Sequence, residues 1–174
     1  LGRQTTADDG AYGFAQLAPG DYYLRFTPPE LTSTTSSSDV PKAITDYSTI
    51  TSELEVNGLF GAMADVNATL SIDHTWNSDL DVFLIGPSGT RVELFTDVGA
   101  GSSDFYNTTL DDEASTPIAG GSPPFTGSFQ PEGILADFDG QNPNGVWLLE
   151  IHDDAGADSG RLLSWSLSIA TDDA

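Results

Sequence analysis

The sequence predicts an all-β protein, a jelly-roll-like β-sandwich of about eight antiparallel strands. Short runs of residues alternate between apolar and polar, which is the period of a β-strand with one buried face. Turn-forming residues separate these runs, and the chain contains 18 glycines and 10 prolines. Long helical periodicity is absent, so many short strands joined by turns indicate a sandwich or jelly roll.

Two segments show the alternation most clearly. Between Val66 and Asp73 every second residue is apolar and its neighbours are Asn, Thr, Ser and Asp. Between Leu163 and Ile169 apolar residues alternate with serines in the same way. Each segment is therefore predicted to be a half-buried strand with one face in solvent.

A different pattern, apolar on both faces, marks Val82–Ile85 as a central strand with something covering each side. The turn Gly86–Gly89 follows, with Pro second and Gly fourth, and Arg91–Phe95 completes a hairpin. Val146–His152 is a further predicted strand, and the Gly-rich loop Asp153–Gly160 joins it to the last one. These elements continue the sandwich to the end of the chain.

Three zones divide the chain. Residues 1–30 hold two strand-like runs, Ala11–Phe14 and Tyr22–Thr27, around a Pro-Gly turn. Residues 31–39 are rich in Ser and Thr and are predicted to be a linker. Residues 40–174 form the main β-sandwich domain. Because the chain opens on Leu without a basic, apolar leader, we expect it to be a piece of a longer protein.

The charge balance restricts the function. The chain has 27 acidic and 5 basic residues, for a net charge of −22. Nucleic-acid binding needs clustered Lys and Arg, so that class is excluded, and binding to an anionic membrane is disfavoured. The acidity indicates either a solvated surface or sites for hard cations. The absence of cysteine rules out disulfides, thiolate zinc sites and cysteine nucleophiles.

Eight motifs in a fixed order resemble the P domain (P/Homo B) that follows the catalytic domain of kexin- and furin-like subtilases. They are Pro41–Asp46, Ile72–Trp76, Ser78–Val82, Gly86–Arg91, Leu110–Ala114, Pro124–Gly127, Gly145–Leu149 and Gly160–Leu167. The resemblance covers about residues 40–170. It implies a jelly-roll sandwich, monomeric by itself, that packs on and stabilises a neighbouring subtilisin-like domain of a secreted or cell-surface bacterial protein.

A second resemblance concerns residues 1–30. The stretch Asp9–Tyr22 is similar to the closing strands of a prealbumin-like B-type repeat of bacterial surface proteins. It implies that residues 1–30 are the C-terminal strands of a preceding repeat. The parent is then either a subtilisin-like protease or a mosaic surface protein, in which this domain would serve adhesion or carbohydrate binding.

Catalytic residues are not expected in this chain. A subtilase needs a His-Gly-Thr and a Gly-Thr-Ser string, and neither occurs. His74 stands near Asp73 and Asp79 in the sequence, which allows a catalytic dyad. We favour the alternative that His74 ends a strand and hydrogen-bonds a neighbouring carboxylate. The other histidine, His152, is predicted to lie on the surface.

Acidic loops offer a candidate calcium site. Asp79 and Asp81 begin the central strand, and Asp111, Asp112 and Glu113 form the densest acidic cluster. Calcium prefers six to eight oxygen ligands, which such loops can supply together at one end of a sandwich. The alternative is that these aspartates cap strand ends and accept hydrogen bonds from loop amides. The weaker candidates for the same ion lie in the Gly-rich loop: Asp153, Asp154 and Asp158.

The three tryptophans separate into two groups. Trp147 and Trp165 alternate with polar residues on the apolar side of their strands, so both are predicted to lie in the core. Trp76 falls in a loop and is left open as a sugar-stacking residue, which would favour the carbohydrate-binding alternative.

Overall fold

The computed structural model describes residues 31–172, which form two β-sheets packed face to face. The predicted β-sandwich is confirmed, with ten strands in this range instead of about eight. Three short 3-10 helices, Asn77–Asp79, Ile118–Gly120 and Leu135–Phe138, interrupt the loops. The strands are β1 (Leu31–Ser36), β2 (Lys42–Ile44), β3 (Ser48–Val56), β4 (Ala62–His74), β5 (Leu80–Ile85), β6 (Arg91–Thr96), β7 (Phe105–Leu110), β8 (Phe125–Phe129), β9 (Gly145–Asp153) and β10 (Gly160–Asp172).

The two sheets differ in size. The six-stranded sheet has the order β1-β10-β4-β7-β8, and β2 also pairs with β10. The four-stranded sheet has the order β3-β9-β5-β6. Neighbouring strands are antiparallel except β7 and β8, which run parallel and so depart from the all-antiparallel expectation. No helix between residues 31 and 172 is long and apolar enough to cross a membrane.

The core lies between the sheets and follows the predicted alternation. Trp147 on β9 is fully buried and Trp165 on β10 is 2% exposed, which confirms both as core residues. Three stacked phenylalanines join the sheets: the ring of Phe105 lies 4.5 Å from that of Phe95 and 4.9 Å from that of Phe125. Offset aromatic stacking at this distance adds to the stabilisation from buried area.

The predicted linker is partly wrong. Residues 31–36 form strand β1, which pairs with β10 from Leu31↔Thr171 to Ser36↔Ser166. An edge strand needs backbone hydrogen bonds on one side only, and Thr favours strands, so a Ser/Thr-rich sequence suffices. Composition alone therefore does not distinguish such a strand from a linker. The strand-like runs expected in residues 1–30 lie outside the described residues.

A buried polar network fixes the chain that follows β1. The indole N–H of Trp165 donates to the hydroxyl of Ser52 (2.7 Å), and Ser52 donates to the carboxylate of Asp39. Asp39 also accepts from the backbone N–H of Glu53 (3.0 Å) and pairs with Lys42 (2.6 Å). Although burial opposes ionisation, the hydrogen bonds from Lys42, Ser52 and Glu53 hold the pKa of Asp39 well below its ordinary value.

Candidate functional site

The five predicted calcium ligands do not form one site. Asp79 and Asp81 stand at the start of β5, where Asp79 interacts electrostatically with His74 at the end of β4. The cluster Asp111–Glu113 follows β7 and interacts with Asp65, near the start of β4. Asp65 and His74 are nine residues apart along one strand, about 30 Å at 3.3 Å per residue. The expectation of a shared site is therefore wrong, because β4 spans the whole sandwich between the two groups.

At one end, aspartates accept hydrogen bonds from loop amides. The two carboxylate oxygens of Asp112 accept from the backbone N–H groups of Leu135 (3.1 Å) and Ala136 (2.9 Å), at the start of a 3-10 helix. Asp111 accepts from the backbone N–H of Glu113 (2.8 Å). This arrangement is the alternative considered from the sequence, in which such aspartates stabilise loops.

At the other end, carboxylates crowd together. Asp79 is 7% exposed. Burial, followed by repulsion from Asp153 and Asp158, raises the pKa of its carboxyl above the ordinary value. Burial and the charge of Asp154 raise the pKa of Asp81 in the same way. Within residues 31–172, however, no three carboxylate or imidazole groups are placed to hold a metal ion together.

His74 ends β4 and is completely buried, as a strand-end histidine bound to a carboxylate. Its Nε2 lies 3.3 Å from the carboxylate of Asp153, and its Nδ1 lies 2.8 Å from the carbonyl oxygen of Trp76. The partner is therefore Asp153 on β9, and not Asp73 or Asp79, the two candidates from the sequence. Because both ring nitrogens have fixed partners, neither is placed to accept a proton from a nucleophile.

The second histidine, His152, lies on the outward face of β9, whereas the neighbouring Asp153 lies on the buried face. His152 is half-buried, and its Nδ1 lies 3.0 Å from the hydroxyl of Thr49 on β3. On β5, the strand on the other side of β9, Asp81 stands directly opposite His152. His152 thus lies at the surface of the sheet, as expected, and a cross-strand hydrogen bond fixes its ring.

Trp76 is a surface residue and is 45% exposed. Gly101 lies against its ring, and a Cβ at that position would overlap the indole. Asn77 holds the loop in place, because its side-chain amide oxygen accepts a hydrogen bond from the backbone N–H of Asp104 (3.0 Å). One side of the indole is thus covered by backbone, and much of the remainder is accessible.

Comparison with known proteins identifies the domain. The profile of the proprotein convertase P-domain family matches residues 63–169, which run from the start of β4 to near the end of β10. The chain belongs to this family. The matched region includes His74, Asp79 and Asp153, whereas β1, β2 and β3 precede it.

Two curated relatives are enzymes by name. Leupeptin-inactivating enzyme 1 of Streptomyces exfoliatus is 29% identical over 134 residues, which are 76% of this chain and 25% of that protein. The calcium-dependent protease of Trichormus variabilis is 31% identical over 125 residues, 67% of this chain and 16% of that protein. This P-domain chain therefore spans a quarter or less of the length of these relatives.

Solved structures confirm the fold. The serine protease of Aeromonas sobria matches with a TM-score of 0.56, at 19% identity, over 85% of this chain and 28% of the protease. The same protease in complex with a chaperone matches with a TM-score of 0.57, at 19% identity, over 87% of this chain and 28% of the protease chain. At this identity the similarity shows a shared fold.

Proposed function

We propose that this P domain is a non-catalytic accessory module of a secreted subtilisin-like serine protease, in which it packs on and stabilises the catalytic domain. The observation that carries the proposal is the family match, together with two matched proteins named as proteases. In each of the matched proteins the domain is a minor part, so catalysis is assigned to the remainder.

The site geometry supports this assignment. His74 and Asp153 form a buried pair whose polar atoms face other parts of the domain. Such a pair stabilises the loops that it joins and offers no general base to a substrate. The acidic surface suits an extracellular protein, since a large net charge favours solubility.

The calcium dependence named for the Trichormus relative does not transfer directly to this domain. The oxygens of Asp112 are already used by two amides, and within residues 31–172 no three carboxylates are placed to hold a metal ion together. Calcium at Asp79 and Asp81 therefore stays a prediction, and no step of the proposed function depends on it.

One observation favours the second candidate function, carbohydrate binding. The exposed indole of Trp76 could stack on a sugar ring. Wild type and Trp76→Ala should be titrated with soluble polysaccharides. Binding that Trp76→Ala abolishes would support this second function.

The proposed function has a direct test. The parent polypeptide is produced with and without residues 31–172, and the melting temperature and peptidase activity of both forms are measured. We expect the truncated form to melt lower and lose activity on heating sooner. The isolated chain should hydrolyse no peptide, ester or glycoside, and turnover that disappears in His74→Ala would refute the accessory role.

A further inference from the structure

The outer face of the four-stranded sheet carries a row of apolar side chains, which we call the apolar stripe: Phe83, Ile85, Val146 and Leu148. Phe83 and Ile85 alternate along β5 with the buried Val82 and Leu84, so they point away from the core. Val146 and Leu148 alternate in the same way with buried residues of β9. Ile85 and Leu148 are paired across the two strands, with Cβ atoms about 5 Å apart.

A side chain of the same sheet partly covers the stripe. The guanidinium of Arg91, on the edge strand β6, lies 3.4 Å from the ring centroid of Phe83. Arg91 is held there by Glu150, whose carboxylate is 2.7 Å away. Val146 remains 46% exposed. Phe83, Ile85 and Leu148 are half-buried and Val146 is exposed, so within residues 31–172 no third sheet packs on the stripe.

Two more exposed apolar residues, Pro87 and Phe60, lie near the end where β9 begins. Pro87 is exposed there and stands 2.9 Å from the position of a Cβ on Gly145. Asn144 exchanges two hydrogen bonds with the backbone of Leu59, at 2.9 and 2.8 Å. The next residue, Phe60, is 79% exposed. Apolar residues gathered on one face of a sandwich mark a protein-binding surface more often than a solvated one.

Acidic residues border the stripe. Glu55 and Glu53 on β3 stand opposite Val146 and Leu148. Glu93 on β6 stands opposite Phe83. Arg91 is the one Lys or Arg on the four strands of this sheet, and it is already paired with Glu150. A complementary surface would therefore have an apolar centre and a rim of Lys and Arg.

The outer face of the six-stranded sheet provides the contrast. Its centre consists of small hydroxyl-bearing side chains, and the hydroxyls of Thr69 and Thr109 lie 2.9 Å apart. Ser166 and Ser168 occupy the adjacent positions on β10. That composition is typical of a sheet face in solvent, whereas the segment Val82–Ile85 of β5 is apolar on both faces, as in strands covered on both sides.

We propose that the apolar stripe is the surface by which this domain docks on the catalytic domain of its parent protein, against an apolar patch rimmed by Lys and Arg. The inference rests on the proposed function and names the face that it uses. Because glutamates border the stripe, charge complementarity favours a partner surface that carries Lys and Arg around its apolar patch. The matched proteins contain a far larger polypeptide beside this domain, since the chain covers 16% to 28% of each.

The test uses four forms of the 174-residue chain: wild type, the stripe variants Val146→Lys and Ile85→Lys, and the control Thr34→Lys. Each is titrated calorimetrically with the separately produced remainder of the parent polypeptide. Val146→Lys places a cation in the stripe, facing the proposed basic rim, and should weaken binding at least tenfold. Thr34→Lys makes the same charge change on the exposed outer face of β1 and should bind within twofold of wild type.

Melting of each isolated variant establishes that it is folded. If Val146→Lys and Ile85→Lys bind as tightly as wild type, the stripe is not the docking face, and the proposed function remains intact. No binding by wild type, with no rise in its melting temperature, would overturn both.

Experiments on the isolated chain test two other occupants of the stripe, a second copy of the chain and residues 1–30. If Val146→Lys converts a dimer into a monomer in sedimentation, a second copy covers the stripe. If Val146→Lys destabilises the chain only when residues 1–30 are present, that segment covers it. Either result overturns the proposal.

Discussion

The polar network beneath β1 gives the sharpest prediction on stability. In Ser52→Ala, the indole N–H of Trp165 loses its acceptor at a site that is 2% exposed, and Asp39 loses one donor. An unsatisfied buried donor costs about 1–3 kcal/mol, and a lost hydrogen bond to a charged, partly exposed group adds about 1 kcal/mol. We expect a loss of about 2–4 kcal/mol, or roughly 5–15 °C in melting temperature for a domain of this size.

Urea unfolding of Ser52→Ala measures this loss, and Ser164→Ala is the matched control because Ser164 is exposed on β10. The control should change the free energy of unfolding by less than about 0.5 kcal/mol. In the Trp165→Phe background, which has no indole N–H, Ser52→Ala should cost about 1–2 kcal/mol less. Equal losses for Ser52→Ala and Ser164→Ala, or no coupling to Trp165, would refute the assigned role of the network.

Three further predictions concern pH, truncation and calcium. Because the folded-state pKa of Asp39 is lowered, its contribution is present above about pH 4 and lost as the pH falls further, so Asp39→Asn should flatten the acid limb of stability against pH. Removing residues 1–39 should lower the melting temperature well below that of a chain lacking only residues 1–30, because it removes β1 and Asp39; equal melting would contradict this. For Asp79 the raised pKa has the opposite sign, so Asp79→Asn should stabilise the metal-free domain at neutral pH. A calcium-selective melting shift, unmatched by magnesium and absent in Asp79→Asn, would establish the site, and equal shifts from both ions would indicate screening.

The sequence predicted those features that depend on local periodicity. Alternation placed Val66–Ile72 within β4 and assigned Trp147 and Trp165 to the core, as the structure confirms. The hairpin of β5 and β6 followed from its turn residues. The same approach missed β1, because the hydrogen bonds that hold it come from β10, more than a hundred residues away.

The candidate site was less predictable because it depends on contacts distant in the sequence. His74 meets Asp153 across 79 residues, while Asp73 and Asp79 are nearer in the chain and make no such contact with its ring. Five acidic residues within 35 positions were expected to meet, yet a strand of 13 residues separates Asp79 from Asp111–Glu113. Sequence proximity thus misleads where the chain crosses the full length of a sandwich.

The run Val82–Ile85 illustrates how a sequence pattern bears on a surface of the domain. Its apolar residues on both sides led to the expectation of a strand covered on each face. The structure supplies the sandwich core on one side, where Val82 and Leu84 are fully buried, and on the other side Arg91 lies over Phe83. If solvent were the normal environment of that outer face, selection for solubility would favour the Ser and Thr seen across the six-stranded sheet. The apolar outer residues of Val82–Ile85 are therefore the basis of the docking face proposed above.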